Sequence, residues 1–203
     1  MSAKKRLATL TDLEEAFIQG YVNASSSLEA LRNAKVQYRQ FHSGSYRLNQ
    51  VQEFDHDLLS SGRDMVVTTE IFGDLVGKSY LLISTSEFES LTRDIPDSEM
   101  PGINMKVEFV KELDNILSAS VITELSNRLR IRAFGDVPIV ASESSASIGE
   151  VIFDDFRSQT DAVYVTAIYF SFENETSIMP RFVWVVNRND FEGSDDPETR
   201  GTT

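Results

Sequence analysis

The sequence predicts an α+β fold in which two long helices pack on one face of a mostly antiparallel β-sheet. Two long segments, at about residues 11–34 and 107–129, carry apolar residues at helical spacing. The segments that follow each of them are short, rich in β-branched and aromatic residues, and separated by turn sequences. The order of long helix, strands and short helix therefore occurs twice, which indicates a duplicated unit with weak internal symmetry.

The first half begins with the first long helix. Thr11 and Glu14 have the spacing of a capping box, which predicts that the helix starts at Thr11. Its apolar face consists of Leu13, Phe17, Val22, Leu28 and Leu31. Strands are then predicted at residues 35–41, 45–54, 64–72 and 78–84, with turn sequences such as HSGS between them. A short helix is predicted to start at Ser84 to Ser86.

The second half repeats this order. Its long helix is amphipathic, with apolar residues at Phe109, Val110, Leu113, Ile116, Leu117, Val121 and Leu125. A strand is predicted at about 130–134, and the chain resumes an extended form at 137–141. Ser147 is placed to cap a short helix. Strands at 162–172 and 181–187 complete the predicted sheet.

These elements define one predicted domain, residues 11–187, in a chain of 203 residues. Its halves span about 11–95 and 103–187. Residues 1–10 are predicted to be a flexible N-terminus. The polar and acidic segment 188–203 is predicted to be a disordered tail.

Charge and composition exclude several classes of function. A formal net charge of -13 argues against a nucleic-acid or anionic-membrane partner, because both are negatively charged. The chain has no cysteine, which excludes disulfides, thiolate metal ligands and a cysteine nucleophile. Its basic start is not followed by an apolar segment, and no long apolar run occurs. These features predict a cytoplasmic protein.

One polar row on the second long helix is the candidate functional feature. Glu108, Glu112, Asn115 and Ala119 follow one another at spacings that place them along one side of a helix. Pro138 lies further on, with 22 residues between it and Asn115. Acidic and amide side chains are common on any exposed helix face, so the row alone defines no function. The combination with the distant proline is much rarer by chance.

This pattern, E-x-x-x-E-x-x-N followed after 22 residues by Pro, resembles the signature of the CheC/CheX/FliY family of bacterial chemotaxis phosphatases. The family usually has Asp or Ser where this chain has Glu108. The resemblance implies a CheC-like fold, in which two halves related by a pseudo-two-fold axis place two long helices on a continuous sheet. It spans most of residues 11–187, although only the second long helix and Pro138 match specifically.

The resemblance also implies an activity. Proteins of this family hydrolyse the aspartyl phosphate of CheY-type response regulators in two-component signalling. Asn115 would orient the attacking water, because a carboxamide offers both a donor and an acceptor. Glu112 would bind the active-site lysine of the regulator. Glu108 and Ala119 would contact the partner, and Pro138 would have a structural role. The enzyme would need no cofactor of its own, since the regulator supplies Mg²⁺.

The first long helix is predicted to carry a degenerate copy of this site. Asn23 is taken as the counterpart of Asn115. Gly20 and Ala16 then occupy the positions of the two glutamates, and Tyr46 occupies that of the proline. Because the carboxylate and the proline are missing, we expect Asn23 to be structural or on the surface, and we expect one working site per chain.

Other catalytic centres have no support in the sequence. It contains no nucleophile elbow, Walker loop, HExxH zinc motif or dinucleotide-binding glycine motif. His42 and His56 stand outside any spacing typical of metal ligands, so no metal site is predicted.

A non-catalytic binding module is the alternative prediction. Relatives with this scaffold include adaptors and flagellar-switch proteins, and CheC-type proteins also bind CheD. The chain could therefore bind a response regulator, CheD or a switch component without hydrolysis. The presence of Glu112, Asn115 and Pro138 favours the phosphatase. A monomer is expected because two fused halves can complete the sheet internally, and a homodimer is the alternative.

Overall fold

A seven-stranded antiparallel β-sheet forms the centre of the chain in a computed structural model. The structure describes residues 8–50, 64–96, 102, 104–141, 148–173, 175 and 178–191. Two long helices lie on one face of the sheet, and a short helix lies on the other. The α+β architecture predicted from the sequence is confirmed.

The elements follow the predicted order. The first half contains α1 (Leu10–Arg32), β1 (Val36–Arg47), β2 (Asp64–Gly73), β3 (Gly77–Ser84) and α2 (Thr85–Leu91). The second half contains α3 (Met105–Leu129), β4 (Ala133–Gly135), β5 (Ile139–Ala141), α4 (Ile148–Phe156), β6 (Ala162–Phe172) and β7 (Arg181–Asn187). A short 3₁₀ helix, Arg188–Asp190, follows β7. No helix among the described residues is long and apolar enough to cross a membrane.

The strand order reflects the internal duplication. Along the hydrogen-bonded path the order is β1-β6-β7-β3-β2-β4, and β5 also pairs with β2. The outer strand at each edge follows a long helix: β1 follows α1, and β4 and β5 follow α3. Strands β6 and β7 correspond to β2 and β3, and β7 meets β3 at the centre. The predicted pseudo-two-fold repeat is therefore present, with its axis between β3 and β7.

Alternation along the strands divides the apolar side chains between two faces of the sheet. The strand residues that face α1 and α3 include Val67, Ile71, Leu81, Ile168, Phe182 and Trp184. The strand residues that face α4 include Tyr80, Leu82, Val163, Val165, Val183 and Val185. Because both faces are covered, β6 and β7 are buried along nearly their whole length.

The two long helices approach each other closely where α1 carries a glycine. A Cβ atom on Gly20 would lie 2.9 Å from the Cα of Val121 in α3. Real Cβ atoms do not approach backbone that closely, so any side chain at this position would push the helices apart. The missing side chain of Gly20 therefore sets the distance between the two helices.

The start of α1 differs from the prediction by one residue. The Thr9 hydroxyl accepts a hydrogen bond from the Asp12 amide, and the Asp12 carboxylate accepts one from the Thr9 amide at 3.0 Å. This capping box starts the helix at Leu10, inside the segment predicted to be flexible, rather than at Thr11. The predicted short helix α2 is confirmed, and Ser84 and Glu87 form its capping box.

The first strand is longer than predicted, because the expected turn at residues 42–45 does not form. Strand β1 pairs with β6 from Val36 to Arg47, with one irregularity between Gln40 and His42. Ser43 and Gly44 continue the ladder. A bulge thus absorbs the break in alternation that the sequence suggested was a turn. Residues 51–54 of the predicted second strand lie outside the described residues.

The ordered chain extends beyond the predicted limit at Asn187. After the 3₁₀ helix, Phe191 is only 7% exposed and packs into the core that α1 and α3 share. The tail prediction is therefore wrong for residues 188–191, because an aromatic anchor follows the polar turn. Residues 192–203 lie outside the described part of the chain.

Replacing Gly20 with alanine tests the close helix approach. Alanine favours helix formation by about 1 kcal/mol over glycine, but its Cβ would meet the backbone of Val121. We expect a net loss of about 1–3 kcal/mol in the free energy of unfolding, measured by urea denaturation. Gly44→Ala is the control, because the nearest atom to its added Cβ is 3.6 Å away. Equal stability of the two variants would contradict this account.

Candidate functional site

The exposed side of α3 carries the polar row predicted from the sequence. Glu108, Glu112, Asn115 and Ala119 are all exposed. The opposite side of the helix is buried by Val110, Leu113, Asp114, Leu117, Ser118, Val121, Ile122, Leu125 and Leu129. Because the core holds the helix along its whole length, the row is presented on a rigid backbone.

The charges of the row are not equivalent. Lys111 donates to both carboxylate oxygens of Glu108 at 3.1 Å, so the charge of Glu108 is largely compensated on the helix itself. Glu112 and Asn115 make no hydrogen bond or ion pair with another described residue. The row therefore offers one uncompensated carboxylate and one carboxamide, three residues apart, to a partner.

Pro138 lies at a bulge in the strand that borders α3. Gly135 of β4 pairs with Ile71 of β2, and Ile139 of β5 pairs with Thr68. Two residues of β2 therefore face three residues between β4 and β5, the last of which is Pro138. A proline suits this position, because it lacks an N–H group for the ladder. Pro138 is buried, which is consistent with a structural role.

The bulge follows from the path of β4 along the second half of α3. The Ala133 amide donates to the Ser126 hydroxyl at 3.4 Å, and Gly135 lies against Ile122, whose Cδ1 would be 2.9 Å from a Cβ there. Strand β4 therefore runs antiparallel to α3. The bulge residues come next along this path, in the direction of Asn115.

The structure shows which residues of α1 correspond to those of α3. The buried positions of the two helices coincide when shifted by 97 residues, so that Leu13 matches Val110. Further matched positions are Ala16 with Leu113, Phe17 with Asp114, Gly20 with Leu117, Tyr21 with Ser118, Ala24 with Val121, Ser25 with Ile122 and Leu28 with Leu125.

This register corrects the pairing inferred from the sequence. Glu15 matches the central glutamate of the row, and the exposed Ile18 matches Asn115. Asn23 instead faces α3, where its Nδ2 donates to Glu124 at 2.8 Å. The sequence comparison matched asparagine to asparagine, whereas burial decides which positions are equivalent. The positions of α1 that match the row, here called the α1 row, thus include a carboxylate at Glu15 but no carboxamide.

A buried carboxyl group that the sequence analysis did not single out lies directly beneath the row. Asp114 is 0% exposed, and its Oδ2 accepts a hydrogen bond from Thr69 of β2 at 2.6 Å. Beside this pair, the hydroxyls of Ser79 in β3 and Ser118 in α3 lie 3.0 Å apart. These four residues are called the Asp114 cluster. Within the described residues no hydrogen bond of acceptable geometry reaches the other oxygen, Oδ1.

Burial raises the pKa of Asp114 from its ordinary value of 3.8 to about 7. The hydroxyls of Thr69 and Ser118 offset part of this effect, because they stabilise the charged form. The sequence did carry a signal: an acidic residue interrupts the apolar face between Leu113 and Leu117. A charged residue at such a position is rare without a partner.

The other half of the repeat has aromatic residues where the Asp114 cluster lies. Phe17 and Tyr21 match the two helical members of the cluster. Trp184 pairs with Ser79 across the central axis of the sheet. Phe17 packs against both Tyr21 and Trp184, at centroid distances of 5.9 and 5.7 Å. The core under α1 is thus aromatic at these positions, whereas the core under α3 contains the polar Asp114 cluster there.

No group of three or more His, Asp or Glu side chains among the described residues is arranged to hold a metal ion. His42 lies on β1 and its ring interacts with Tyr46. His56 lies outside the described residues.

Comparison with solved structures places the fold. FliY from Thermotoga maritima superposes with a TM-score of 0.60 at 18% identity, over 86% of this chain and 87% of that chain. A structure of a FliG–FliM complex from H. pylori superposes with a TM-score of 0.58 at 11% identity, over 88% of this chain and 92% of that chain. A CheX–CheY–BeF3–Mg²⁺ complex from Borrelia burgdorferi superposes with a TM-score of 0.50 at 12% identity, over 85% of this chain and 98% of that chain. No protein-family model and no curated protein sequence matches the chain.

The chain therefore has the fold of the CheC/CheX/FliY class of chemotaxis and flagellar-switch proteins, which confirms the fold implied by the sequence resemblance. Similarity at these identities establishes the fold and not the activity.

Replacing Asp114 with asparagine tests the raised pKa through stability. Between about pH 4 and 7 the folded state holds a proton that the unfolded chain has lost, since the folded pKa is raised from 3.8 to about 7. Stability from this group is therefore fully present below about pH 4, falls as the pH rises to 7, and levels off above it. The amide introduced by the substitution does not titrate. We expect the stability advantage of Asp114→Asn over wild type to grow by about 2–4 kcal/mol across this range.

The measurement is urea unfolding of both proteins at several pH values. Glu112→Gln serves as the control, because its carboxylate is exposed on the same helix and stays in water. A stability difference between Asp114→Asn and wild type that does not change with pH would contradict the prediction.

Proposed function

We propose that this chain hydrolyses the aspartyl phosphate of a CheY-type response regulator. The observation that carries the proposal is the pair Glu112 and Asn115, which lie exposed and unengaged by other described residues on a helix fixed by the core. The fold is that of a CheX protein whose solved structure is a complex with CheY. Strand β4, which leads into the bulge at Pro138, packs against the second half of the same helix.

The proposed chemistry suits a carboxamide at the centre of the row. Water attacks phosphorus in line with the bond to the aspartyl oxygen, that bond breaks, and inorganic phosphate and the free carboxylate leave. The Asn115 carbonyl oxygen accepts a hydrogen bond from the attacking water, and its NH₂ group donates to a phosphoryl oxygen. A neutral side chain can approach the phosphoryl oxygens without repulsion. Fixing the water in this geometry supplies the rate enhancement.

The uncompensated carboxylate provides the docking contact. We assign to Glu112 an ion pair with the active-site lysine of the regulator, which sets the angle at which the partner meets α3. Glu108 flanks this contact with its charge already balanced by Lys111. Ala119 leaves room for the backbone of the partner. The enzyme then needs no cofactor of its own, because Mg²⁺ is bound by the regulator.

Asn115→Ala is the variant that tests the catalytic role. A CheY-type regulator is charged with a small phosphodonor in Mg²⁺, and decay of its aspartyl phosphate is followed with and without this protein. We expect wild type to accelerate decay, and Asn115→Ala to lose about 100-fold of that acceleration because the water is no longer positioned. Binding to the regulator carrying BeF3 and Mg²⁺ should change only a few-fold.

Asn127→Ala is the matched control, since it removes another exposed asparagine from the same helix. It should retain wild-type activity. Glu112→Ala should weaken binding more than Asn115→Ala does. If wild type binds the regulator and leaves its phosphoryl lifetime unchanged, hydrolysis is not the function of this site.

That result would favour the second candidate function, a non-catalytic binding module of the flagellar switch or the chemotaxis pathway. Two observations favour this candidate. The α1 row presents the apolar side chain of Ile18, 45% exposed, where α3 has its carboxamide. The fold also superposes on a chain of a FliG–FliM complex and on a FliM middle domain, both from H. pylori. A chain whose two rows differ in this way can bind one partner through each of them.

A further inference from the structure

The Asp114 cluster joins the candidate site to the centre of the sheet. Asp114 directly precedes Asn115 and lies two residues after Glu112, on the side of α3 that faces the strands. The hydrogen bond that ties its carboxyl group to the sheet runs to Thr69 of β2. The rotation of the helix at the site therefore depends on this buried contact as well as on apolar packing.

The chemistry of the cluster differs for the two protonation states. A neutral carboxylic acid carries no net charge, so leaving its Oδ1 buried without a partner costs much less than burying a charged oxygen there. An ionised carboxylate accepts from Thr69 but leaves Oδ1 buried without a well-placed donor among the described residues. An unsatisfied buried charge is costly, and α3 can relieve that cost only by moving away from the sheet or by admitting water.

Charged groups on the neighbouring elements do not compensate Asp114. On β2 and β3, Glu70 and Lys78 alternate to the opposite face of the sheet, where Lys78 Nζ lies 3.1 Å from Asp155 of α4. On α1, Glu29 accepts from the Val36 amide at 3.0 Å. Each of these side chains is thus directed elsewhere.

Other charged groups on the helices are also directed away from the cluster. Arg32 of α1 donates to the Leu91 carbonyl and pairs with Glu175 at 3.2 Å. Glu87 of α2 accepts from the Met179 amide at 2.8 Å. On α3 itself, Lys111 pairs with Glu108 and Glu112 is exposed. The only polar contacts of the described residues that face Asp114 are hydroxyl groups.

We propose that Asp114 is a positioning residue for the α3 site: its protonated carboxyl group seats the middle of α3 on β2 and β3 and so orients Glu112 and Asn115, and loss of the proton unseats them. This inference rests on the proposed function for its activity readout. The site is then most active when Asp114 is neutral. At pH values where Asp114 is ionised, the row loses its alignment. The buried negative charge also repels a phosphoryl group bound next to Asn115.

Hydrogen exchange measures how firmly the middle of α3 packs on β2 and β3, with no partner protein present. Amide exchange at residues 113–118 is recorded from pH 5 to 8.5 for wild type and Asp114→Asn. The ratio of the wild-type exchange rate to the variant exchange rate removes the intrinsic pH dependence. We expect this ratio to rise about tenfold towards high pH, because only wild type acquires the buried charge. Asp155→Asn, an acid on the other face of the sheet, should show no such change relative to wild type.

Thr69 supplies an independent variant in case Asp114→Asn does not fold. The Thr69 hydroxyl lowers the pKa of Asp114, so Thr69→Val should move the midpoint of the exchange transition to higher pH. Thr69→Ser keeps a hydroxyl and should restore the midpoint. A role limited to packing would not move a pH midpoint in this way.

Phosphatase assays over the same pH range connect the seating to function. The ratio of wild-type to Asp114→Asn activity cancels the pH dependence of the regulator, and we expect it to fall about tenfold from pH 6 to pH 8.5. A flat exchange ratio overturns the proposal, and so does a changing exchange ratio with a flat activity ratio. If neither protein hydrolyses the phosphoryl group at any pH, the proposed phosphatase function fails, and the exchange and Thr69 results alone decide whether Asp114 seats the helix.

Discussion

The close contact of α1 with α3 at Gly20 is the constraint on which the rest of the structure depends. With no side chain between Gly20 and the backbone of Val121, the two helices share one face of the sheet. Their separation and rotation are thereby set together. The rotation of α3 decides that Glu112 and Asn115 face solvent while Asp114 faces the strands. A surface site and a buried acid are thus two consequences of one packing arrangement.

Much of this fold could be predicted from local patterns. The apolar period of α3 and the β-branched runs of β6 and β7 are strong signals, and the structure confirms them. The continuous β1 was missed, because Ser43 and Gly44 are turn residues by composition and only pairing with β6 shows that they belong to a strand. Phe191 was missed for a similar reason: its anchoring role depends on a core contact distant in sequence.

Part of the candidate site could be predicted, because local spacing determines which residues share one side of a helix. Spacing alone places Glu112 and Asn115 on one side of a helix, and the structure shows that side to be exposed. Spacing could not show that Ile18 of α1, rather than Asn23, is equivalent to Asn115. Equivalence in a repeat is a property of burial, and identical residues at a different helical angle serve different purposes. Asn23 supports the helix interface through Glu124.

The two halves of the repeat differ in the core that lies beneath their long helices. Under α1, the packed rings of Phe17, Tyr21 and Trp184 maximise apolar contact. Under α3, Asp114 replaces such a ring with a carboxyl group, which an optimally stable core would not contain. Such departures from local stability rules concentrate at functional sites. The departure here lies in the half that keeps the carboxamide, directly behind it. The aromatic core and the buried titratable group thus lie in different halves of the repeat, and the titratable group lies in the half that carries the proposed site.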